Sequence, residues 1–277
     1  ITGDPVAIML PADATMQQIE ALRQALGLDK PLWEQYAIFL GDLVRLDLGS
    51  SLRYNQPVVH LILERMPATL QLAGTALVIS LLIAFPVGII SALKKGTFVD
   101  SLVMIFVLIG QAMPVFWMGV LLILLFAVQL NWLPTGGIGT WKHLILPAIA
   151  LGLHMTALVT RLLRSSLLES LGSDYVRTAR AKGLLTKTVV GKHAMRNSLL
   201  PVVTVVGLEI GSLLGGSVVT ETVFSWPGVG QLLIQAINFR DFPLVQGIII
   251  LLAGAFVLIN LLVDITYAAL DPRIQYK

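Results

Sequence analysis

Few residues in this 277-residue chain have the means to do chemistry. Cysteine is absent and the four histidines, His60, His143, His154 and His193, are scattered, so no thiolate site and no metal centre can be read from ligand spacing. An intramembrane protease or lipid-modifying enzyme would need a nucleophile and base, or a metal pair, facing one another. The sequence contains no Gly-x-Ser-x-Gly elbow, no His-Glu-x-x-His and no paired intramembrane aspartates. It also lacks the Gly-x-x-x-x-Gly-Lys-Ser/Thr loop that cradles phosphates, so it has no motor of that kind. Two groupings remain. One is an acid, Glu209, inside an apolar run, and the other is a basic stretch between Asp174 and Leu184.

Glu209 lies in the segment Gly207-Leu208-Glu209-Ile210-Gly211-Ser212-Leu213-Leu214-Gly215-Gly216. At about 100° per residue, Gly207, Gly211 and Gly215 form one stripe suited to close helix packing. Glu209, Ser212, Gly216 and Thr220 fall on a face nearly opposite, which is the candidate lining of a polar path. An ionisable group in the middle of a membrane helix costs several kcal/mol unless it is paired, protonated or wet. Two readings stay open for Glu209: a path residue, or a structural hydrogen bond with His154 as the candidate partner. Asp264 and Asn260 stand one turn apart in the last apolar run, where pairing of Asp264 with a basic loop residue is favoured over substrate contact. Gln71 and Gln111 read as interhelical hydrogen-bonding residues.

The elements that must position these residues follow from composition. The chain is 56% hydrophobic and 13% charged, with a mean hydropathy of +0.84, which excludes a soluble core of this size and indicates an all-α integral membrane protein. Five apolar runs, at about 68–93, 101–129, 144–163, 199–220 and 244–266, are each long enough to cross a bilayer as a helix, and they lack the alternation of a barrel strand. Pro114 in the second run predicts a kink. The formal net charge of +3 would suggest nucleic acid in a soluble domain, but here the basic residues set membrane orientation instead.

Lys and Arg concentrate between the third and fourth runs, at Arg161, Arg164, Arg177, Arg180, Lys182, Lys187, Lys192 and Arg196. That connection is expected to be cytoplasmic. Lys94, Lys95, Arg273 and Lys277 agree, whereas the loops with Lys142 and Arg240 are expected outside, with Trp132, Trp141 and Trp226 at the outer interface. Residues 1–66 then form an extracytoplasmic segment of short amphipathic helices, roughly 15–26 and 31–45, broken at Gly27 and Pro31 and acidic through Asp13, Glu20, Asp29, Glu34, Asp42 and Asp47. An outward N-terminal segment implies one further span upstream of Ile1, for six in all.

The basic stretch runs Asp174-Tyr175-Val176-Arg177-Thr178-Ala179-Arg180-Ala181-Lys182-Gly183-Leu184 and continues to His193-Ala194-Met195-Arg196-Asn197 and Leu200-Pro201. It predicts a short helix, ended by Gly183 and kept narrow by Ala179 and Ala181 to fit a groove on another protein. On physical grounds alone it is a docking element, a lipid-binding element or a solvated basic loop.

This stretch resembles the EAA coupling motif of ATP-binding cassette (ABC) importer permeases, in the variant seen in dipeptide, oligopeptide, glutathione and nickel permeases. It departs from the literal motif in having Thr178 and Arg180 around Ala179. Further collinear blocks carry the resemblance along essentially the whole chain: Gly3-Asp4-Pro5, Leu26 to Leu32, Asp47 to Ser51, Pro67-Ala68-Thr69-Leu70, Trp132-Leu133-Pro134, Ser225-Trp226-Pro227-Gly228-Val229-Gly230 and Leu270-Asp271-Pro272-Arg273.

The resemblance implies a type I ABC-importer transmembrane domain, a MetI-like helical bundle, over 67–270, with a cytoplasmic coupling loop at 165–197 and a cytoplasmic tail at 271–277. It implies a permease in the bacterial cytoplasmic membrane rather than an enzyme, with ATP and Mg on two partner ATPase subunits. A second permease subunit and an extracytoplasmic solute-binding protein complete the implied assembly. Coupling would pass through Tyr175, Arg177, Thr178, Ala179, Arg180, Ala181, Lys182 and Gly183. The implied substrate is a dipeptide or oligopeptide, with nickel chelates and glutathione as alternatives. A self-standing channel or secondary transporter would show inverted repeats, and none is visible.

Overall fold

The structure is a computed structural model that describes Val6, residues 14–25 and residues 27–270. The blocks at Gly3-Asp4-Pro5 and Asp271-Pro272-Arg273, and Asp13, lie outside the described residues. Helices α1 (Met16–Ala25) and α2 (Leu32–Val44) come first. They are followed by α3 (Val58–Leu93), α4 (Phe98–Ala112), α5 (Val115–Leu122), α6 (Lys142–Gly172), α7 (Asp174–Ala181), α8 (Met195–Val223), α9 (Val229–Asn238) and α10 (Phe242–Leu270). The α5 helix continues as π-helix over Ile123–Gln129, and α8 is preceded by helical turns at Thr186–Thr188 and Val189–Ala194. Among the described residues the extended pairing is one isolated bridge between Ser50 and Pro57.

Four helical stretches, Val58–Leu93, Lys142–Gly172, Thr186–Gly215 and Phe242–Val263, are long and apolar enough to cross a membrane, and a fifth span results if α4 and the Val115–Gln129 stretch count as one. The expected kink in that second run is a bend of 111°. Its cause is local. A residue before proline is pushed out of the helical region, and here both Met113 (φ −81°, ψ 128°) and Pro114 (φ −61°, ψ 139°) are extended. Two successive extended residues turn the chain much further than one missing hydrogen bond would. By contrast Pro67, Pro86, Pro147 and Pro201 stay inside long helices.

The chain divides into two compact units, one drawn from the residues up to Glu64 with Leu232–Ile250, the other from Arg65–Gln231 with residues from Leu251 onward. In the first unit Gly27 takes φ +66° between α1 and α2 and Pro31 caps α2, as the glycine and proline predict. No residue of α2 is buried, and a half-open cavity of about 680 Å³ lies along its Leu32, Tyr36 and Phe39 side. The first unit is tied by Asp241, which is 1% exposed. Its carboxylate accepts hydrogen bonds from the Ser51 hydroxyl and from the backbone N–H groups of Leu52, Arg53 and Leu244, and so caps α10 while pinning the 51–55 turn.

The second unit holds the main apolar core, where Leu72, Ala76 and Ala84 of α3 meet Leu151, Met155, Val159 and Leu163 of α6 and Val202 and Leu213 of α8. Small residues let the helices approach. A Cβ on Gly152 would lie 2.4 Å from Ser80 Oγ, and the Ser80 hydroxyl donates to the Gly152 carbonyl at 2.8 Å. The glycine stripe of α8 packs against α10 at two of its three positions. A Cβ on Gly207 would meet Val263 at 2.4 Å and one on Gly211 would meet Phe256 at 2.9 Å, whereas Gly215 faces open space. The stripe is therefore a seam of two glycines.

Candidate functional site

The expected basic helix is present as α7, with Asp174 in its first turn, Arg180 in its last and Gly183 just beyond at φ +78°. The Gly183 N–H donates to the Arg180 carbonyl at 2.9 Å and the Leu184 N–H to the Ala179 carbonyl at 3.4 Å, the closing bonds that a left-handed residue after a helix permits. Val176 and Ala179 are buried in a cluster with Ala92, Leu167, Val189, Val190 and Ala194. Ala179 therefore faces inward and seats α7 on its own chain, while Ala181 faces out. The outer surface carries Tyr175, Arg177, Thr178, Arg180, Ala181, Lys182 and Gly183, with Leu185 beside them at 76% exposure.

Arg177 lies 3.6 Å from Asp174, but side-chain exposures of 83% and 94% leave that pair little energetic weight. Tyr175 lies near Ser170 at the end of α6 and Asn197 at the start of α8. Partial desolvation acts to raise its hydroxyl pKa, and hydrogen bonds with Ser170, Ser173 and Asn197 outweigh that and leave it lowered.

The four residues expected on one face of α8 separate. Glu209 is half-buried, Ser212 is exposed and Thr220 is 1% exposed, its hydroxyl oxygen having no hydrogen-bond partner among the described residues. The surroundings of Gly216 are not described. Glu209 and Ser212 can face a common space, and Thr220 belongs to the packed end of the helix. His154 is exposed and, among the described residues, makes no bond with Glu209. Asn260 Oδ1 is buried without a partner among the described residues, and the Asp264 side chain lies outside them. Gln71 is exposed and Gln111 half-buried, and among the described residues neither side chain bridges two helices.

Two buried acids that sequence reasoning passed over organise the second unit. Glu221 is 0% exposed. The Thr69 hydroxyl donates to Oε1 at 2.8 Å and the Gln231 N–H to Oε2 at 3.0 Å. Thr69 Oγ1 in turn accepts from the Val229 N–H at 2.8 Å. A Cβ on Gly228 would fall 2.4 Å from the Glu221 carboxyl carbon, and one on Gly230 would fall 2.4 Å from Val218 Cα, so this loop must be glycine to wrap the acid. Trp226 closes the knot at 2% exposure with its indole N–H on the Ala68 carbonyl at 2.9 Å. It is thus a core residue and not an interfacial one, unlike Trp132 and Trp141 at 63% and 71% exposure. The signal was available: Glu221 is the lone acid between Glu209 and Asp241 and stands beside the Ser-Trp-Pro-Gly-Val-Gly block.

Asp100, 5% exposed, is the second. Arg164 grips it with Nε to Oδ1 at 2.7 Å and a terminal guanidinium nitrogen to Oδ2 at 2.8 Å. The Ser91 hydroxyl donates to Oδ1 at 2.6 Å and the Gly96 N–H to Oδ2 at 2.9 Å. Arg164, counted by sequence among the loop charges, is instead the fixed half of a forked ion pair.

Comparison with known proteins agrees with this architecture along the full chain. Residues 84–276 match the family described as binding-protein-dependent transport system inner membrane component, and residues 1–73 match the N-terminal region described for the membrane component of such systems. The chain is 43% identical to the dipeptide transport system permease protein DppB of Alkalihalophilus pseudofirmus, covering 100% of this chain and 91% of that protein. It is 44% identical to the glutathione transport system permease protein GsiC of Escherichia coli O6:H1, covering 100% of this chain and 90% of that protein. Among solved structures, the inward-facing MetNI methionine ABC transporter is similar with a TM-score of 0.64 at 19% identity over 77% of this chain and 97% of that one. An amino acid ABC transporter is similar with a TM-score of 0.57 at 17% identity, over 78% of this chain and 95% of that one. Those two likenesses bear on the fold, and the full-length ones decide the rest: the chain belongs to the inner-membrane components of binding-protein-dependent transport systems, as a multi-pass ABC-importer permease subunit that is not itself an enzyme.

Proposed function

We propose that this permease carries short peptides into the cell. The observation that carries the reading is full-length similarity to two permeases whose named solutes, a dipeptide and glutathione, are both short peptides. Dipeptides or oligopeptides are the favoured substrates, and glutathione or nickel chelates are the alternatives. The partners are a second permease subunit, two ATPase subunits that hold ATP and Mg, and an extracytoplasmic binding protein that delivers the solute. Residues 1–66 lie outside and the C-terminus inside, because Arg177, Arg180, Lys182, Lys187, Lys192 and Arg196 cluster on one connection and Lys94 and Lys95 on another.

The exposed face of α7, residues 174–184, couples the permease to an ATPase. Its support is the seat built by Val176 and Ala179, which leaves Tyr175 and the basic residues turned outward. Glu209 and Ser212 line the solute path. The test is ATP hydrolysis by the reconstituted complex with its binding protein loaded in turn with dipeptides, longer peptides, glutathione and a nickel chelate. Stimulation by dipeptides or longer peptides above glutathione and the nickel chelate is expected, and stimulation by glutathione alone or by the nickel chelate alone would overturn the dipeptide and oligopeptide reading.

A further inference from the structure

The Asp100 carboxylate is fully occupied, each oxygen taking one bond from Arg164 and one from the α3 end or the loop after it. Ser91 belongs to α3, Gly96 to the 94–97 loop, Asp100 to the first turn of α4 and Arg164 to α6. One side chain therefore ties three helices. A buried ion pair of this kind adds little net stability over an apolar replacement. What it fixes is relative position, since a planar fork on a carboxylate admits one orientation.

The position matters because of what lies next to it. Helix α7 is seated on Ala92 of α3 and Leu167 of α6. Ala92 directly follows Ser91, and Leu167 lies one turn after Arg164. Helix α4 contributes no described residue to that seat; it reaches the seat through the 94–97 loop from α3, through its packing on α6, and through Asp100, the side chain that bonds to both helices. Helix α4 also leads, without interruption, to the 111° bend at Met113 and Pro114.

We propose that Asp100 and Arg164 are positioning residues for energy coupling, holding α3, α4 and α6 as one body behind α7 so that displacement of α7 reaches α4. The proposal rests on the reading of α7 as the ATPase-contacting element. Without the fork, α7 and its seat would still move, and α4 would follow through its loop and its packing on α6 alone, with its orientation less tightly fixed.

The test is solute transported per ATP hydrolysed by the purified complex in liposomes, with Arg164→Lys, which keeps the cation and loses the fork, and Ser91→Ala, which removes one of the bonds to Asp100. Arg164→Lys is expected to lower that ratio by about three- to tenfold in assembled complex, and Ser91→Ala by about twofold. A merely structural pair would lower the yield or thermal stability and leave the ratio unchanged, which would sink the proposal. If Arg164→Lys does not assemble, the ratio in Ser91→Ala decides. Gly183→Val separates the two readings. Uncoupling by Gly183→Val with a normal ratio in Arg164→Lys and Ser91→Ala leaves the α7 reading standing and overturns this one. Normal coupling in Gly183→Val overturns both.

Discussion

Asp100 and Glu221 are both buried acids, and the second unit treats them in opposite ways. Asp100 sits on a forked guanidinium; Glu221 has no cation among its partners in the described residues and is held by a hydroxyl and backbone N–H groups. Both are gripped by the same helix. Thr69 of α3 donates to Glu221 and Ser91 of α3 to Asp100, and at 1.5 Å per residue those two donors stand about 33 Å apart. That is close to the hydrocarbon thickness of about 30 Å. Helix α3 thus carries a polar knot near each end of a bilayer-length apolar stretch. The difference teaches that a buried carboxylate can be stabilised by charge or by shape, and the two answers respond to different mutations.

Neutralising the charged knot should have the largest effect. Asp100→Asn strands the Arg164 guanidinium, and breaking such a pair costs about 3–5 kcal/mol. The 22% exposure of the Arg164 side chain places the expectation near the lower end, read as a drop in the thermal unfolding midpoint of the purified complex. Crowding the neutral knot comes next. Gly230→Ala places a Cβ against the Val218 backbone, which cannot swing aside, for a loss of about 2 kcal/mol. Gly215→Ala, in open space on α8, serves as its control and should not destabilise, with a gain of up to about 1 kcal/mol from helix propensity.

The isosteric Glu221→Gln strands no cation and should cost about 1–2 kcal/mol, chiefly from an amide NH2 facing a backbone N–H. A loss from Glu221→Gln equal to that from Asp100→Asn would dissolve the distinction between charge and shape. Glu209→Gln should move stability least, within about 0.5 kcal/mol, because this half-buried acid has no described partner to lose. Its expected effect is on transport. Uptake of peptides with a free amino terminus should fall relative to peptides with a blocked one, since a carboxylate in a partly dry path attracts a passing cation. Equal uptake of both peptides by both proteins would make Glu209 a structural residue.

Much of the fold was legible because its signals are local. Apolar length marked the spans, and Gly27, Pro31 and Gly183 marked helix ends through their own backbone preferences. The break at Pro114 was legible in place but not in size, since the angle depends on Met113 also leaving the helical region. The Ser-Trp-Pro-Gly-Val-Gly block was visible as a pattern without its purpose, which is to wrap Glu221. Trp226 was misplaced at the interface because an indole with a polar tip fits either an interface or a core with one carbonyl to spare.

The start of α3 at Val58, well before the apolar run at 68–93, and the whole of α9 escaped the sequence, which by itself determined that the chain is a helical membrane protein, where its apolar runs lie, and which connection carries the basic charge. Each of those depends on neighbours within a few turns. Only the tertiary structure decided that Thr69 meets Glu221 and Arg164 meets Asp100. It also decided that Ala179 points inward, that Thr220 is packed away from Ser212, and that Gly215 faces open space while Gly207 and Gly211 touch α10. Those facts depend on how far each helix is rotated about its axis when it packs, and a shift of one residue, about 100°, would exchange the faces. Rotation is set by interdigitation of side chains from helices far apart in the chain, so no window of sequence contains it.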